Sequence, residues 1–488
     1  MTATSPGPDQ GLPLSSRQEW CWEWERCYDE PYPKAVSLDC STTLRMRGAL
    51  DVGALREALG EVALRHDALR LRLLDAGTSV EQVVRPRQTL RPEPFPLETM
   101  DLGDALRRRE LHEILLDLTT RPFEVTDWLS RATLLRLAAE DHVLLTSFHH
   151  LVFDEPSHQI YLRDLARFYN RRVAAPGAYS NRRPLPDEDF VRPSSPDDSV
   201  IGPSSSYVDF VRTENAPRAR LDTATRLTAW ADRLRAHGSG DLLPGRATGF
   251  LPLQHQYDSI PLSWSAEESR RLRRAARGER VSLYALLAAA LARTLGGFYG
   301  RERLILSTPS HGRVRPETRS AVGLFSNMIQ VPVDLGQSSP GGLFRQVDGV
   351  LRDASAVVDL PFGRLAEAVL GRQGDAAFYR HALAHAELRL YGVTGWIVDR
   401  REHEVPMHGL RTGLAPYYQD FSQLKYATPQ SSLAAAATLS VGLTMEAGRL
   451  TGALRYETTY HGRRTAEALA NGFRGRLTDL ARVGARRA

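Results

Sequence analysis

The stretch Ser147-Phe148-His149-His150-Leu151-Val152-Phe153-Asp154-Glu155 places two adjacent histidines and two carboxylates directly after an apolar run. A neutral imidazole held at a strand end inside a cleft accepts a proton near neutral pH, which is what general-base activation of an amine or hydroxyl requires. Asp154 is close enough in sequence to brace the loop, and a buried carboxylate there needs a cationic partner. Residue type alone leaves two other readings open. Paired histidines also cap strands through satisfied hydrogen bonds. His150, Asp154 and His158 fall at i, i+4 and i+8, a spacing that aligns metal ligands on a continuous helix. Pro156 and the preceding strand disfavour that helix, so no metal site is expected.

These residues need elements to hold them. Ala132–Leu137 and His142–Phe148 flank Ala138-Ala139-Glu140-Asp141 and predict a hairpin whose second strand runs into His149. A helix should follow, with Ile160, Leu165, Phe168 and Tyr169 as its core face. Upstream, Ser16 and Glu19 have capping-box spacing for a short helix carrying Trp20 and Trp24. Ala35 to Met46 alternates as a strand, and Asp51 caps a helix with Leu55, Leu59, Val62 and His66 on one face. Residues 174–206 are dense in Pro, Ser, Asp and Gly, as a surface crossover is. Beyond them come a capping box at Ser265 and Glu268 and an Ala/Leu-rich buried helix from Ser282 to Leu295. Strands are expected at Leu304–Thr308, Asn327–Val333, Val441–Met445 and Leu450–Tyr456, the last two forming a hairpin around Glu446-Ala447-Gly448. The alternation of strands and helices in both halves predicts an α/β (α+β) fold of two-layer sandwiches.

At 488 residues the chain is long enough for two or three domains at roughly 100–200 residues each. Of its 63 basic residues 61 are arginine, which reads as coding bias, and 58 acidic residues are interspersed with them. Nucleic-acid binding requires a segregated basic face and is disfavoured, whereas Arg-lined patches suit an acidic protein partner. No apolar run approaches the ~20 residues of a membrane span. Met1 to Pro13 is polar and lacks the apolar segment of a secretory signal, so a disordered tail and a cytoplasmic location are expected. Cys21, Cys27 and Cys40 show no CxxC spacing and read as buried small hydrophobes. No GxxxxGK[ST], GxSxG or HExxH motif occurs, which argues against nucleotide-driven chemistry and zinc proteolysis.

His149-His150-x-x-x-Asp154 resembles the HHxxxDG motif of the condensation-domain superfamily of nonribosomal peptide synthesis, whose fold is that of chloramphenicol acetyltransferase. Ser16-Arg17-Gln18-Glu19-Trp20 resembles the family's opening motif, Arg65-His66-Asp67-Ala68-Leu69-Arg70 its RHExLR, and Tyr207-Val208-Asp209-Phe210 its YxDF. Gly312-Arg313, Val322-Gly323-Leu324-Phe325-Ser326-Asn327, Leu360-Pro361-Phe362 and the strand from Leu450 to Tyr460 are similar to later segments, in the family's order.

The resemblance implies two acetyltransferase-like subdomains in a V-shaped pseudodimer with a central tunnel. They would span residues 14–185 and 207–488, joined by a crossover at 186–206. It implies His150 as base or positioning group, His149 and Asp154 as structural support, and Arg313 as the ion-pair partner of Asp154. It further implies a free-standing enzyme of specialised-metabolite (antibiotic) biosynthesis. That enzyme joins an acyl or aminoacyl thioester, borne on the phosphopantetheine arm of a separate acyl or peptidyl carrier protein, to a small amine or alcohol acceptor. No cofactor is implied. Coenzyme A as acyl source, or a non-catalytic recruitment role, are the alternatives.

The chain departs from the motif at Glu155, which stands in place of glycine. A carboxylate at the head of a helix is favoured by the dipole. The other reading has Glu155 reach the tunnel to bind a cationic acceptor or tune His150. After Asn327, Met328-Ile329-Gln330-Val331-Pro332 lacks the family's arginine, and Ser432-Leu433 replaces its Asp-Leu.

Overall fold

The computed structural model describes residues 11–26, 39–75, 80–85, 97–103, 111–119, 121, 123–173, 206–237, 257–336, 339–370, 386–391, 405–414, 439–446, 448–458 and 461–486. In chain order the elements of the first half are β1 (Leu12–Pro13), α1 (Ser16–Arg26), β2 (Asp39–Arg47), α2 (Val52–Arg65), β3 (Leu71–Asp75), β4 (Val80–Val84) and β5 (Leu97–Asp101). Then come α3 (Leu111–Thr119), β6 (Ser130–Ala138), β7 (Asp141–His149) and α4 (Glu155–Val173). After the crossover come α5 (Tyr207–Glu214), α6 (Pro217–Arg235), β8 (Tyr257–Ser263), α7 (Ala266–Gly278), α8 (Leu283–Tyr299), β9 (Arg303–Ser310) and β10 (Asn327–Asp334). The rest are α9 (Pro340–Ser355), α10 (Phe362–Leu370), β11 (Ala386–Tyr391), β12 (Arg411–Leu414), β13 (Leu439–Glu446), β14 (Arg449–Glu457) and α11 (Arg463–Arg486).

The first half is built on the order β12-β2-β7-β6-β5, with a small β1-β4-β3 sheet beside it. β7 is buried along nearly its whole length, as a central strand covered on both faces is, with Val143, Leu144, Leu145 and Phe148 interspersed with the buried polar Thr146 and Ser147. The β6–β7 hairpin pairs Ser130 with Phe148 at its open end. Asp51 caps α2 by accepting the Ala54 N–H at 2.9 Å, and Leu55, Leu59, Val62 and His66 are all buried. α2 packs along α4, whose Ile160, Leu165, Phe168 and Tyr169 join the same core. The second half carries the six-stranded order β10-β9-β11-β13-β14-β8. The Ser265/Glu268 capping box starts α7, and Ser282 caps α8, whose Ala and Leu residues are buried on most sides. α11 lays Leu469, Phe473 and Leu477 on that core, with the Trp264 ring edge-on to Phe473 at 6.0 Å.

The second half lends chain to the first. β12 returns from the second half to pair antiparallel with β2, Leu414 opposite Leu44. Tyr207, Val208, Val211, Val322, Phe325 and Met407 lie in the core of the first half. Tyr207 is the wedge between them. Its hydroxyl donates to the Leu324 carbonyl at 3.2 Å and meets the Ser15 hydroxyl at 3.1 Å, and its ring lies against Gly323.

Several expectations are corrected. The capping box at α1 belongs to Ser15 and Gln18: the Gln18 N–H donates to Ser15 Oγ at 3.2 Å and the Ser15 N–H to Gln18 Oε1 at 3.0 Å. Ser16 instead donates through its hydroxyl and N–H to Glu214. Leu12–Pro13, assigned to a disordered tail, pair with Gln82 and Glu81 because β4 offers a free edge. Residues 1–10, 35–38 and 174–205 lie outside the described residues; Ser206 caps α5 by accepting the Asp209 N–H. Among the described residues no single helix is long and apolar enough to cross a membrane.

A Cβ at residue 323 would sit 2.3 Å from the Tyr207 ring. Gly323→Ala is therefore expected to lower the unfolding free energy by about 1–3 kcal/mol, read as a lower urea midpoint at unchanged slope.

Candidate active site

β7 delivers His149 at its last position, a single 3-10 turn spans His150–Val152, and Asp154 opens α4. The turn needs a side chain at the head of α4, because the first helical N–H groups have no partner of their own. Asp154 supplies it. Its Oδ1 accepts the Ser157 hydroxyl at 2.7 Å, the Ser157 N–H at 3.2 Å and Arg313 Nη2 at 2.8 Å. Its Oδ2 accepts Arg313 Nη1 at 2.6 Å and the Phe325 and Ser326 N–H groups at 3.0 and 3.1 Å. Burial alone would push this carboxyl up, but the Arg313 charge and the hydrogen bonds hold it below the usual carboxylate range. The fully buried Asp154 and nearly buried Arg313 are thus brought together across 159 residues of chain.

Arg313 is itself shaped by its surroundings. Its guanidinium lies 4.4 Å from the Phe325 ring centroid and donates to the Ala321 carbonyl at 3.1 Å. Gly312 before it has φ +63°, and a Cβ there would meet the Phe325 carbonyl oxygen at 1.8 Å. Only glycine lets this loop run so close.

The two histidines are held in opposite tautomers. The Leu151 N–H donates to His149 Nδ1 at 3.1 Å, so His149 carries its proton on Nε2. His150 Nδ1 lies 2.6 Å from the Phe153 carbonyl, which only accepts. Nδ1 of His150 is therefore protonated, and Nε2 is the basic nitrogen of its neutral ring. His149 is fully buried and His150 partly exposed. Gln18 braces the same turn, donating to the Leu151 carbonyl at 3.0 Å, and Arg17 Nε donates to the Phe325 carbonyl at 2.8 Å.

Glu155 is the first residue of α4, where the helix dipole favours a carboxylate. Its Oε2 lies 3.9 Å from His158 Nε2, and the Thr42 hydroxyl hydrogen-bonds His158 Nδ1. His158 also meets Phe153 edge-on at 4.8 Å. Cys40, expected as a buried hydrophobe, is partly exposed and places Sγ 3.5 Å from His150 Nδ1. Cys21 is buried, and Cys27 lies outside the described residues. The residue pattern missed Cys40 and His158 as neighbours of His150. Strand alternation held the signal, since Cys40 and Thr42 share one face of β2 beside the end of β7.

The condensation-domain profile matches residues 9–177 and 196–407, most of the chain. The chain belongs to the condensation-domain family. A linear gramicidin synthase of Brevibacillus parabrevis is 26% identical over 360 residues, covering 73% of this chain but only 6% of its own length. Phosphinothricin tripeptide synthetase PhsC of Streptomyces viridochromogenes is 26% identical over 384 residues, covering 75% of this chain and 32% of its own length. This condensation domain thus spans a small part of the curated relatives it matches. Among solved structures, the X-domain from teicoplanin biosynthesis aligns with a TM-score of 0.74 at 23% identity over 99% of this chain and 96% of its own. SgcC5 from Streptomyces globisporus aligns with a TM-score of 0.66 at 21% identity over 96% of this chain and 98% of its own. These likenesses place the condensation domain in the chloramphenicol acetyltransferase-like α/β fold.

The remaining motif residues of this condensation domain form a brace around the site. Arg65 Nε and His66 Nε2 donate to Asp164 at 2.8 and 2.9 Å. Burial raises the Asp164 carboxyl, but the His66 hydrogen bond and nearby arginines bring it down to about 2. Asp67 accepts the Tyr207 N–H at 3.0 Å and so seats α5.

Arg313→Met leaves Asp154 charged and buried. It is expected to destabilise by about 3–5 kcal/mol, measured by chemical denaturation. Burial brings His158 and His461 from 6.5 down to about 4. Each stays neutral in the folded state while the unfolded chain takes up a proton below pH 6.5, so stability falls as pH drops from 6.5 to 4. In unfolding titrations His158→Gln should reduce that slope by about one proton.

Proposed function

We propose that this chain is a condensation-type acyltransferase that joins a carrier-bound acyl or aminoacyl thioester to an amine or hydroxyl acceptor. The observation that supports this reading is the Phe153 carbonyl at 2.6 Å from His150 Nδ1, which makes Nε2 the basic nitrogen of a partly exposed imidazole. As the acceptor's nitrogen or oxygen bonds to the thioester carbon, its proton passes to Nε2 of His150. The tetrahedral species then breaks its C–S bond, and the thiolate leaves with that proton. A thioester is already activated, so alignment and proton removal supply much of the acceleration, and neither an enzyme nucleophile nor a cofactor is required.

In this reading His149, Asp154 and Arg313 hold His150 in place, and the tunnel expected between the halves brings the two substrates to it. An acidic carrier protein suits the arginine-rich surface, for example the exposed Arg270, Arg273, Arg274 and Arg277 on α7. Coenzyme A is the alternative acyl source. A recruitment role is the second reading. It is favoured by the fold likeness to the teicoplanin X-domain, which one solved structure holds in complex with OxyB.

With a loaded carrier and a panel of amine and alcohol acceptors, His150→Ala should form product about 10²–10⁴-fold more slowly than wild type, followed by intact-mass analysis of the carrier. Equal product from both proteins defeats the catalytic reading. Equal turnover of acyl-coenzyme A and acyl-carrier assigns the donor to coenzyme A.

A further inference from the structure

One transverse row of the six-stranded sheet is polar in every strand. Gln330 on β10 faces Ser307 on β9, Ser307 faces Glu387 on β11, and Glu387 faces Ser440 on β13. Ser440 faces Arg455 on β14, which faces Ser259 on β8. Pairing at one register puts all six positions on the same face of the sheet. The opposite face of β9 and β10 carries Leu304, Leu306, Ile329, Val331 and Val333, which belong to the aliphatic core. Gln330 and Ser307 are each only 1% exposed. Among the described residues, neither amide atom of Gln330 nor Ser307 Oγ has a hydrogen-bond partner. Desolvating an amide and a hydroxyl side by side without partners is costly, and a fold does not gain stability from it.

β10 begins one residue after Ser326, whose N–H binds Asp154. Gln330 lies four residues along from Ser326, roughly 13 Å at strand rise. The unpartnered pair is thus on the strand that leaves the candidate active site. Directly opposed residues stand about 5 Å apart at Cβ, so both side chains can grip one group. Gln330 offers one donor group and one acceptor, and Ser307 offers either. Their complement is a group that also presents an N–H and a C=O, which is a secondary amide.

We propose that Gln330 and Ser307 form a substrate subsite that hydrogen-bonds a secondary amide, carried either by the thiol arm of the donor or by the groups being joined. The inference rests on the acyl-transfer reading for the identity of the substrate but not for the binding itself. The buried polar pair is a binding device held at the expense of the free protein's stability.

The test uses the full chain and two probes, pantetheine for the thiol arm and N-acetylalanine N-methylamide for a peptide-like acyl or acceptor group. Binding is followed by saturation-transfer NMR. Gln330→Met, close in volume, should weaken one probe by about threefold to tenfold and raise the melting temperature by about 1–3 °C. Ser307→Ala should shift the same probe in the same direction. The probe that responds identifies the source of the amide. Unchanged affinity for both probes in the variants, no binding of either probe to wild type, or a lower melting temperature in Gln330→Met each overturns the proposal. His150→Ala should bind both probes as wild type does, so loss of turnover in that variant speaks to the acyl-transfer reading and not to this subsite.

Discussion

The buried Asp154–Arg313 pair is the contact on which the rest of the arrangement depends. A charge taken fully out of water is tolerated only where every acceptor site is filled, and each Asp154 oxygen receives three donors. Those donors come from both sides of the molecule. Ser157 belongs to α4 in the first half, whereas Arg313, Phe325 and Ser326 belong to the segment between β9 and β10 in the second. A shift of one half against the other strips this carboxylate of partners, so the halves are locked where His150 emerges.

Around that contact the backbone carbonyls do the fine positioning. Phe153 orients His150, while Gln18 holds Leu151 and Arg17 holds Phe325. The side chains of α1 therefore steady a loop more than 130 residues downstream. The opening motif and the double-histidine motif are parts of one hydrogen-bonded unit. Tyr207, seated by Asp67 and packed on Gly323, closes it from a third direction.

Much of this was legible in the residues. Periodicity and capping signals located α2, α4, α7 and α8, and the apolar run before His149 marked a buried strand. The misreadings have local physical causes. At α1 two adjacent serines each precede an acid or amide at capping distance, and only the chain's entry angle decides that Ser15 and Gln18 form the box. Leu12–Pro13 is too short to read as a strand and forms one only because an open edge lies beside it. Strand alternation puts Cys40 on the same face as Thr42, but only the pairing of β2 with β7 brings that face to His150.

Sequence by itself determined the α/β fold class, the strand-loop-helix that carries His149, His150 and Asp154, and the need for a cation beside Asp154. These follow from short-range rules, since periodicity, caps and the cost of a buried charge act within a few residues or on one side chain. Tertiary structure alone decided which tautomer each histidine takes, which groups surround Glu155 and His158, and that Gln330 is buried opposite Ser307 with neither side chain hydrogen-bonded among the described residues. Such outcomes depend on register and on the meeting of segments far apart in the chain. Their energies exist only once water has been excluded between those segments.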